Sequence, residues 1–252
     1  MSLFPFREPM NALTHGFWLV VCIPAVVILL SRARGDRLRV LGIAIYGLSL
    51  MACFASSWLF HAINGSQQAI DMCNTLDHVS IFFFIAGSST PVGLVYLRGS
   101  WRKGFLSVVW LLAGTGILLR LSGAPLPLYA RTTLYLLLGW IGCLTYFQLS
   151  RRLSTRQIAP IWVGGILYTL GAGINMAGQP TLVEGILGPH EIFHLLVMAG
   201  SLAHYYFILA ILLGNPRPLD IPSAIPENSP HAPALLTAAD GPALAGSSKV
   251  AR

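Results

Sequence analysis

Residues 40–60 read VLGIAIYGLSLMACFASSWLF, a stretch of 21 residues without Asp, Glu, Lys or Arg. A helix needs about 20 apolar residues to cross the hydrocarbon core of a bilayer, so this stretch predicts a membrane-spanning helix. Six other stretches have the same character. In chain order the seven are residues 13–30, 40–60, 79–97, 104–119, 132–150, 158–178 and 192–213.

The composition of the whole chain agrees with a membrane location. Of its 252 residues, 55% are hydrophobic and 10% are charged, whereas a soluble domain carries about 25% charged residues. The stretches lack the alternation of a β-barrel wall, and only short connections join them. We therefore predict an all-α, polytopic membrane protein whose seven-transmembrane-helix bundle occupies residues 1–214.

The end of the chain differs in composition from the rest. Residues 215–252 contain seven of the sixteen prolines and no aromatic residue. Such a segment cannot bury enough apolar surface to offset the entropy lost on folding. We expect a disordered tail rich in Pro and Ala.

The basic residues are distributed unevenly about the predicted helices. If the helices alternate in direction, thirteen of the sixteen Lys and Arg lie on the side of the C-terminus, and only Arg7, Arg120 and Arg131 lie on the other. Cytoplasmic loops are rich in Lys and Arg, which predicts a cytoplasmic C-terminus. Because these residues stand singly or in short groups, we expect membrane lipid and no nucleic acid as the partner.

Polar residues that are rare in membrane helices collect at one side of the membrane. They occur at the starts of odd-numbered helices and at the end of the second, and helix alternation brings these positions to the same side. An ionisable residue at membrane depth indicates function, because leaving it unpaired in hydrocarbon is costly. The set is Glu8, Asn11, His15, Ser57, His61, Asp77, His78, His190, Glu191 and His194.

Three histidines of this set have the pattern of a metal site. His190 and His194 are four residues apart, so their imidazoles share one helix face and can chelate one ion. His61 can supply a third nitrogen from the second helix. Three imidazoles with a fourth position left to water are typical of catalytic zinc, so we predict Zn²⁺ here.

Ser57 and Asp77 are the candidate catalytic residues. Ser57 precedes His61 by one turn and can donate to an oxyanion or to metal-bound water, or it can bond a carbonyl of its own helix. Asp77 can cap the third helix, orient a histidine or accept a proton from metal-bound water. His204 lies about 15 Å beyond His194 along the last helix, so we expect it to be a buried hydrogen-bonding residue.

His190-Glu191-Ile192-Phe193-His194 also matches HExxH, the zinc-protease pattern in which Glu is the general base. An intramembrane protease needs a further carboxylate ligand from another helix. No membrane stretch of this sequence holds one in the expected setting. We therefore favour Asp77 over Glu191 as the base.

Five short motifs, taken together, carry a family resemblance. They resemble the haemolysin III branch of the progestin and adipoQ receptor (PAQR) family, which includes the adiponectin receptors and is related to the alkaline ceramidases. The resemblance covers residues 8–206. The motifs are Glu8-x-x-Asn11-x-x-Thr14-His15, Ser57-Trp58-Leu59-Phe60-His61, Leu76-Asp77-His78, Tyr168-Thr169-Leu170-Gly171, and His190-Glu191-Ile192-Phe193-His194 followed by Gly200-Ser201-Leu202-Ala203-His204.

The resemblance implies a zinc ion at the N-terminal side of the membrane, with Asp77 and Ser57 close to its bound water. Its ligands would be His61, His190 and His194. It also implies that Glu191 is dispensable, since relatives often carry Gln there. The implied location is the inner (plasma) membrane of a bacterium.

Three functions are compatible with these features. The first is a zinc-dependent hydrolase of lipid amides such as ceramides, acting at the membrane surface. The second is a receptor or sensor in which zinc is structural. The third is a pore-forming protein, as the family name suggests, but no predicted helix has the polar stripe that lines a channel.

Reporter fusions test the predicted orientation. We expect a reporter that works only in the cytoplasm to be active after Gly214 and silent after Gly123, because the basic residues favour the C-terminal side. The receptors of the resembled family place their N-terminus inside. The opposite result from two well-expressed fusions would show that this topology overrides the charge bias.

Overall fold

Seven helices long and apolar enough to span a membrane make up the described part of the chain. The computed structural model describes residues 5–123 and 126–214. The helices are α1 Pro9–Ala33, α2 Arg37–Ala62, α3 Gln67–Tyr96, α4 Gly99–Leu121, α5 Leu128–Ser150, α6 Thr155–Ala177 and α7 Pro189–Leu212. The predicted all-α membrane bundle is confirmed. The predicted tail, residues 215–252, lies outside the described residues.

The helix starts follow from local capping chemistry. The Asp36 carboxylate accepts hydrogen bonds from the first-turn amides of α2, and the Ser66 hydroxyl accepts one from α3. Ser154 and Gln157 form a capping box at α6. These side chains satisfy amides that have no partner within their own helix, so the helices begin before the charge-free stretches do.

α3 departs most from the sequence prediction. Its expected start was residue 79, yet the helix begins at Gln67 with Ser66 as its cap. Asp77 therefore lies about three turns inside the helix, so of the three roles considered for Asp77 only that of helix cap is wrong. The first turns of α3 are polar and so lie outside the charge-free stretch, but their side chains pair along the helix: Gln67 Nε2 donates to Asp71 Oδ1 at 2.9 Å.

Two helices contain irregular turns. In α5 the segment Ile141–Thr145 is wound more tightly, as a 3-10 helix, and in α7 the segment Phe207–Leu212 is wound more loosely, as a π-helix. Both irregular segments contribute side chains to the internal cavity described below. α5 and α7 thus change their pitch where they face an open space.

The main apolar core fills the half of the bundle where α1 ends and α2 begins. There the helices pack through large side chains with little or no exposure. Examples are Leu29, Ile43, Val95, Leu149, Ile158, Phe207 and Leu212. The polar set collects at the opposite end, so the bundle has an apolar half and a polar half.

The outer surface of the bundle is apolar. Phe17, Val20, Leu111 and Leu118 are each more than three-fifths exposed. A soluble protein rarely exposes so much contiguous apolar surface. These side chains have the chemistry that contact with lipid acyl chains requires.

Close helix contacts depend on glycine at several crossings. A Cβ atom at Gly87 of α3 would lie 2.6 Å from Ser49 Cβ of α2, which is closer than real Cβ contacts allow. Gly47 faces Val26 of α1 in the same way. Membrane helices associate mainly by van der Waals contact, so small residues at the crossings let the backbones approach.

Gly87→Ala should therefore destabilise the bundle. The added methyl group must push α2 away from α3, and overpacking of this kind costs about 1–3 kcal/mol. The measurement is the melting temperature of the purified protein in detergent. Gly114→Ala is the matched control, since a Cβ there meets nothing within 4 Å; equal melting temperatures for the two variants would contradict the prediction.

Candidate metal centre

Three imidazoles meet at the polar end of the bundle. His61 stands in the last turn of α2, and His190 and His194 stand in the first two turns of α7. Each offers a ligand nitrogen, and these atoms all lie within 4.8 Å of one another. His61 and His194 are 1% and 2% exposed. The three side chains form a group that can hold a metal ion.

Unpartnered nitrogens indicate that this group suits a cation. His61 Nε2 and His194 Nδ1 are buried and have no hydrogen-bond partner in the described protein. Buried polar atoms are nearly always bonded, so each such atom needs an explanation. A metal ion accepts nitrogen lone pairs, and imidazole is a ligand that zinc binds readily, so these residues fit the predicted Zn²⁺.

Two side chains contact the Nδ1 atoms of His61 and His190. His61 Nδ1 lies 2.6 Å from Glu8 Oε2, and His190 Nδ1 lies 3.1 Å from Asn175 Oδ1. Both oxygens are acceptors, so in each ring Nδ1 carries the proton. Nε2 then keeps its lone pair for a metal ion.

Glu8 precedes α1 and is ionised. The hydrogen bond from His61 is the largest influence that lowers the pKa of Glu8 to about 2, and the positive charge of Arg7 adds to it. Arg7 Nη2 lies 3.0 Å from Glu8 Oε1. Asn11 Nδ2 donates to Glu8 Oε2 at 3.2 Å and to Glu191 Oε1 at 2.9 Å. Glu8 is thus connected to α1, α2 and α7.

His15 of α1 links the candidate catalytic Ser57 to a candidate ligand. Its ring stacks on His194 with 3.7 Å between centroids, and its Nδ1 lies 2.8 Å from Ser57 Oγ. Ser57 thus has a hydrogen-bond partner on another helix. This contact holds the hydroxyl at the polar end of the bundle.

Ser57 and Asp77 both line a cavity of about 480 Å³ that His190 and His194 also line. The Asp77 carboxylate interacts electrostatically with His61 and with Ser57. The structure thus brings Asp77 and Ser57 to the same end of the cavity as the histidine group.

The cavity continues from the histidines into the apolar half. On α7 its wall includes both His194 and Phe207, thirteen residues and thus about 20 Å apart along the helix axis. The remaining wall is mostly apolar side chains of α3, α5 and α6, among them Phe84, Leu136 and Trp162. One end of this space is polar, and the rest resembles the hydrocarbon of a lipid.

Three other residues considered from the sequence lie outside the metal group. Both Glu191 oxygens are occupied, because Oε2 accepts from the Gly188 amide at 2.9 Å and Oε1 accepts from Asn11. His78 Nδ1 donates to Asn74 O at 2.7 Å. His204 Nε2 lies 3.4 Å from Ile161 O, so it is a hydrogen-bonding residue as expected.

Asn175 is the functional candidate that sequence reasoning missed. It lies near the end of α6 and reaches His190. The end of an even-numbered helix falls on the same side as the rest of the polar set. The position of Asn175 in the sequence therefore indicated that it belongs with the polar set. It was missed because the candidate residues were mainly those that can ionise.

Comparison with known proteins agrees with the motifs. A sequence model described as "Haemolysin-III related" matches residues 5–205. The chain belongs to the haemolysin-III related family. Hemolysin-3 of Bacillus cereus is 31% identical over 215 residues, which cover 84% of this chain and 95% of that protein.

Other relatives of the family are similar over the same length. Hemolysin-3 homolog of Bacillus subtilis is 30% identical, with 82% of this chain and 95% of that protein covered. Monocyte to macrophage differentiation factor of Homo sapiens is 27% identical, with 84% of this chain and 87% of that protein covered. The family resemblance drawn from the motifs is confirmed.

Metal analysis tests the histidine group. We expect about one zinc ion per chain in the purified protein and a marked loss in His61→Ala, His190→Ala and His194→Ala, because each removes one of three ligands. His204→Ala is the control, and we expect it to retain the metal. Full zinc content in the His190→Ala and His194→Ala proteins would refute the site.

Proposed function

We propose that this haemolysin-III family protein is a zinc-dependent hydrolase of lipid amides, of ceramide type, at the membrane surface. The observation that carries the proposal is the position of the three-histidine group. It lies at the polar end of a long apolar cavity that Ser57 and Asp77 also line. A group that can hold a cation, a candidate base and a lipid-like cavity therefore adjoin one another.

The cavity supports a lipid as the substrate. Its apolar walls would bury an acyl chain, and burial of apolar surface contributes about 25 cal/mol per Å². The polar end would then hold the amide against the histidines. A soluble peptide offers nothing to fill the apolar part of the cavity.

The roles of the side chains follow from their chemistry. Zinc, when bound, would polarise the amide carbonyl and lower the pKa of its bound water towards about 7. The Asp77 carboxylate would accept the proton of the attacking water and pass it to the leaving amine. The Ser57 hydroxyl would donate to the carbonyl oxygen as negative charge develops there, with His15 holding its orientation.

A sensor with structural zinc is the second candidate. The ligand set joins the end of α2 to the start of α7, so a bound ion would fasten two helices that are far apart in sequence. A pore has less support, because large side chains pack the end of the described bundle opposite the histidines.

The distribution of basic residues supports a location of the site on the outer face of the membrane. Helix alternation along the sequence assigns thirteen of the sixteen basic residues to the side of the C-terminus and the histidines to the opposite side. We place the C-terminus in the cytoplasm and the site on the outer face of a bacterial plasma membrane.

The Asp77→Asn variant distinguishes the hydrolase proposal from the sensor proposal. If Asp77 transfers the proton, Asn should lower hydrolysis of a lipid-amide panel by about 100-fold or more, because the amide cannot accept a proton. Zinc content and melting temperature should stay near those of the wild type. Asp71→Asn, on the same helix but exposed, should behave as the wild type.

The alternative outcomes assign the function differently. An active Asp77→Asn protein would defeat the hydrolase proposal. Zinc binding without turnover of any lipid amide by the wild type would favour the sensor. In that case chelation should lower the melting temperature, because a bound metal stabilises the folded state by linkage.

A further inference from the structure

The segment before α1 is fastened to the end of α2 by contacts that involve no metal. Arg7 Nη2 donates to Phe60 O at 2.8 Å, and the guanidinium lies 4.3 Å from the centroid of the Phe60 ring. The Glu8 amide donates to His61 O at 3.0 Å. The backbone of Glu8 is therefore held directly beside a candidate ligand.

This placement determines which nitrogen of His61 is available. Glu8 Oε2 lies 2.6 Å from Nδ1, and an ionised carboxylate only accepts hydrogen bonds. The proton is therefore on Nδ1, and in the neutral ring the lone pair is on Nε2. That atom is buried and has no hydrogen-bond partner among the described residues, so its lone pair is available to a cation.

Glu8 is charged, whereas Asn175, the side chain that contacts His190, is neutral. His190 is held by the neutral amide of Asn175, whereas His61 is held by a carboxylate. Three neutral imidazoles leave the full double charge of a zinc ion uncompensated. A carboxylate behind one ring makes that ring a stronger electron donor and offsets part of the charge.

The Glu8 carboxylate is also fixed on its remaining sides. Arg7 contacts Oε1, and Asn11 bridges Oε2 to Glu191 in the first turn of α7. α7 carries the other two ligands. The orientation of the carboxylate is thus tied to the helix that completes the site.

We propose that Glu8 is a positioning residue of the metal centre, which fixes the tautomer and direction of the His61 ring and strengthens its bond to zinc. This inference rests on the metal site of the proposed function. It does not depend on the reaction or on the lipid.

Zinc affinity of the full-length protein in detergent tests this role by competition with a chelator. We expect Glu8→Ala to bind zinc about 10–100-fold more weakly than the wild type, which is the usual effect of removing the hydrogen-bond partner of a metal ligand. Glu8→Gln keeps an acceptor for Nδ1 but loses the charge, so its affinity should be intermediate. The visible spectrum of substituted Co²⁺ should change in Glu8→Ala, because the His61 ring is released.

Arg7→Ala is the matched control. It removes the contacts of Arg7 with Phe60 and with Glu8 Oε1 but leaves the Glu8 carboxylate beside His61 Nδ1. We therefore expect zinc affinity to fall by about threefold, against about 10–100-fold for Glu8→Ala. A purely structural segment would instead make Arg7→Ala and Glu8→Ala equally weak, which would overturn the inference. Wild-type affinity in Glu8→Ala would also overturn it.

Zinc binding and hydrolysis by the wild type distinguish a failure of this inference from a failure of the proposed function. A wild-type protein that binds no zinc would refute both. A wild-type protein that binds zinc but hydrolyses no lipid amide would refute the hydrolase alone. The affinities of the Glu8 variants would then still decide the role of Glu8.

Discussion

A polar side chain inside a bilayer must find its partner within the protein, and the polar end of this bundle is built on that requirement. Asn11 and His15 of α1 are each buried, and neither can bond water from the hydrocarbon. Asn11 joins two carboxylates, and His15 joins Ser57 to the His194 ring. These bonds bring α1, α2 and α7 together at one depth, and the histidine group is assembled in the process.

In the proposed hydrolase, the apolar half of the bundle would bind the lipid and the polar half would carry out the reaction. The apolar half is packed by large side chains around a cavity that has little polar lining. The polar half contains the nitrogens and oxygens that can act on a substrate. Because the surroundings are apolar, water screens the charges of the site less than it would at the surface of a soluble protein. A reacting group held there would experience stronger electrostatic stabilisation from the same residues.

Sequence reasoning located the helices well because bilayer thickness sets their length. It failed at the start of α3, because the polar residues of that segment are exposed and pair with one another along the helix. The convergence of His61 with His190 and His194 was accessible, since alternating helices place these positions at the same end. The bond between Glu8 and His61, 53 residues apart, was not accessible. Helix alternation predicts the membrane side of a residue, but which side chains touch depends on how the helices are rotated and how the segment before α1 folds back.

The HExxH pattern shows how local position changes the meaning of a motif. In a zinc protease the glutamate between the ligands faces the bound water and acts as the base. Here His190 and Glu191 occupy the first turn of α7, where backbone amides have no partner within the helix. Glu191 therefore turns back to accept the Gly188 amide, and its other oxygen is bonded by Asn11. A carboxylate with both oxygens engaged in this way caps α7 and connects it to α1. This supports Asp77, which lines the cavity, as the base of the proposed hydrolase.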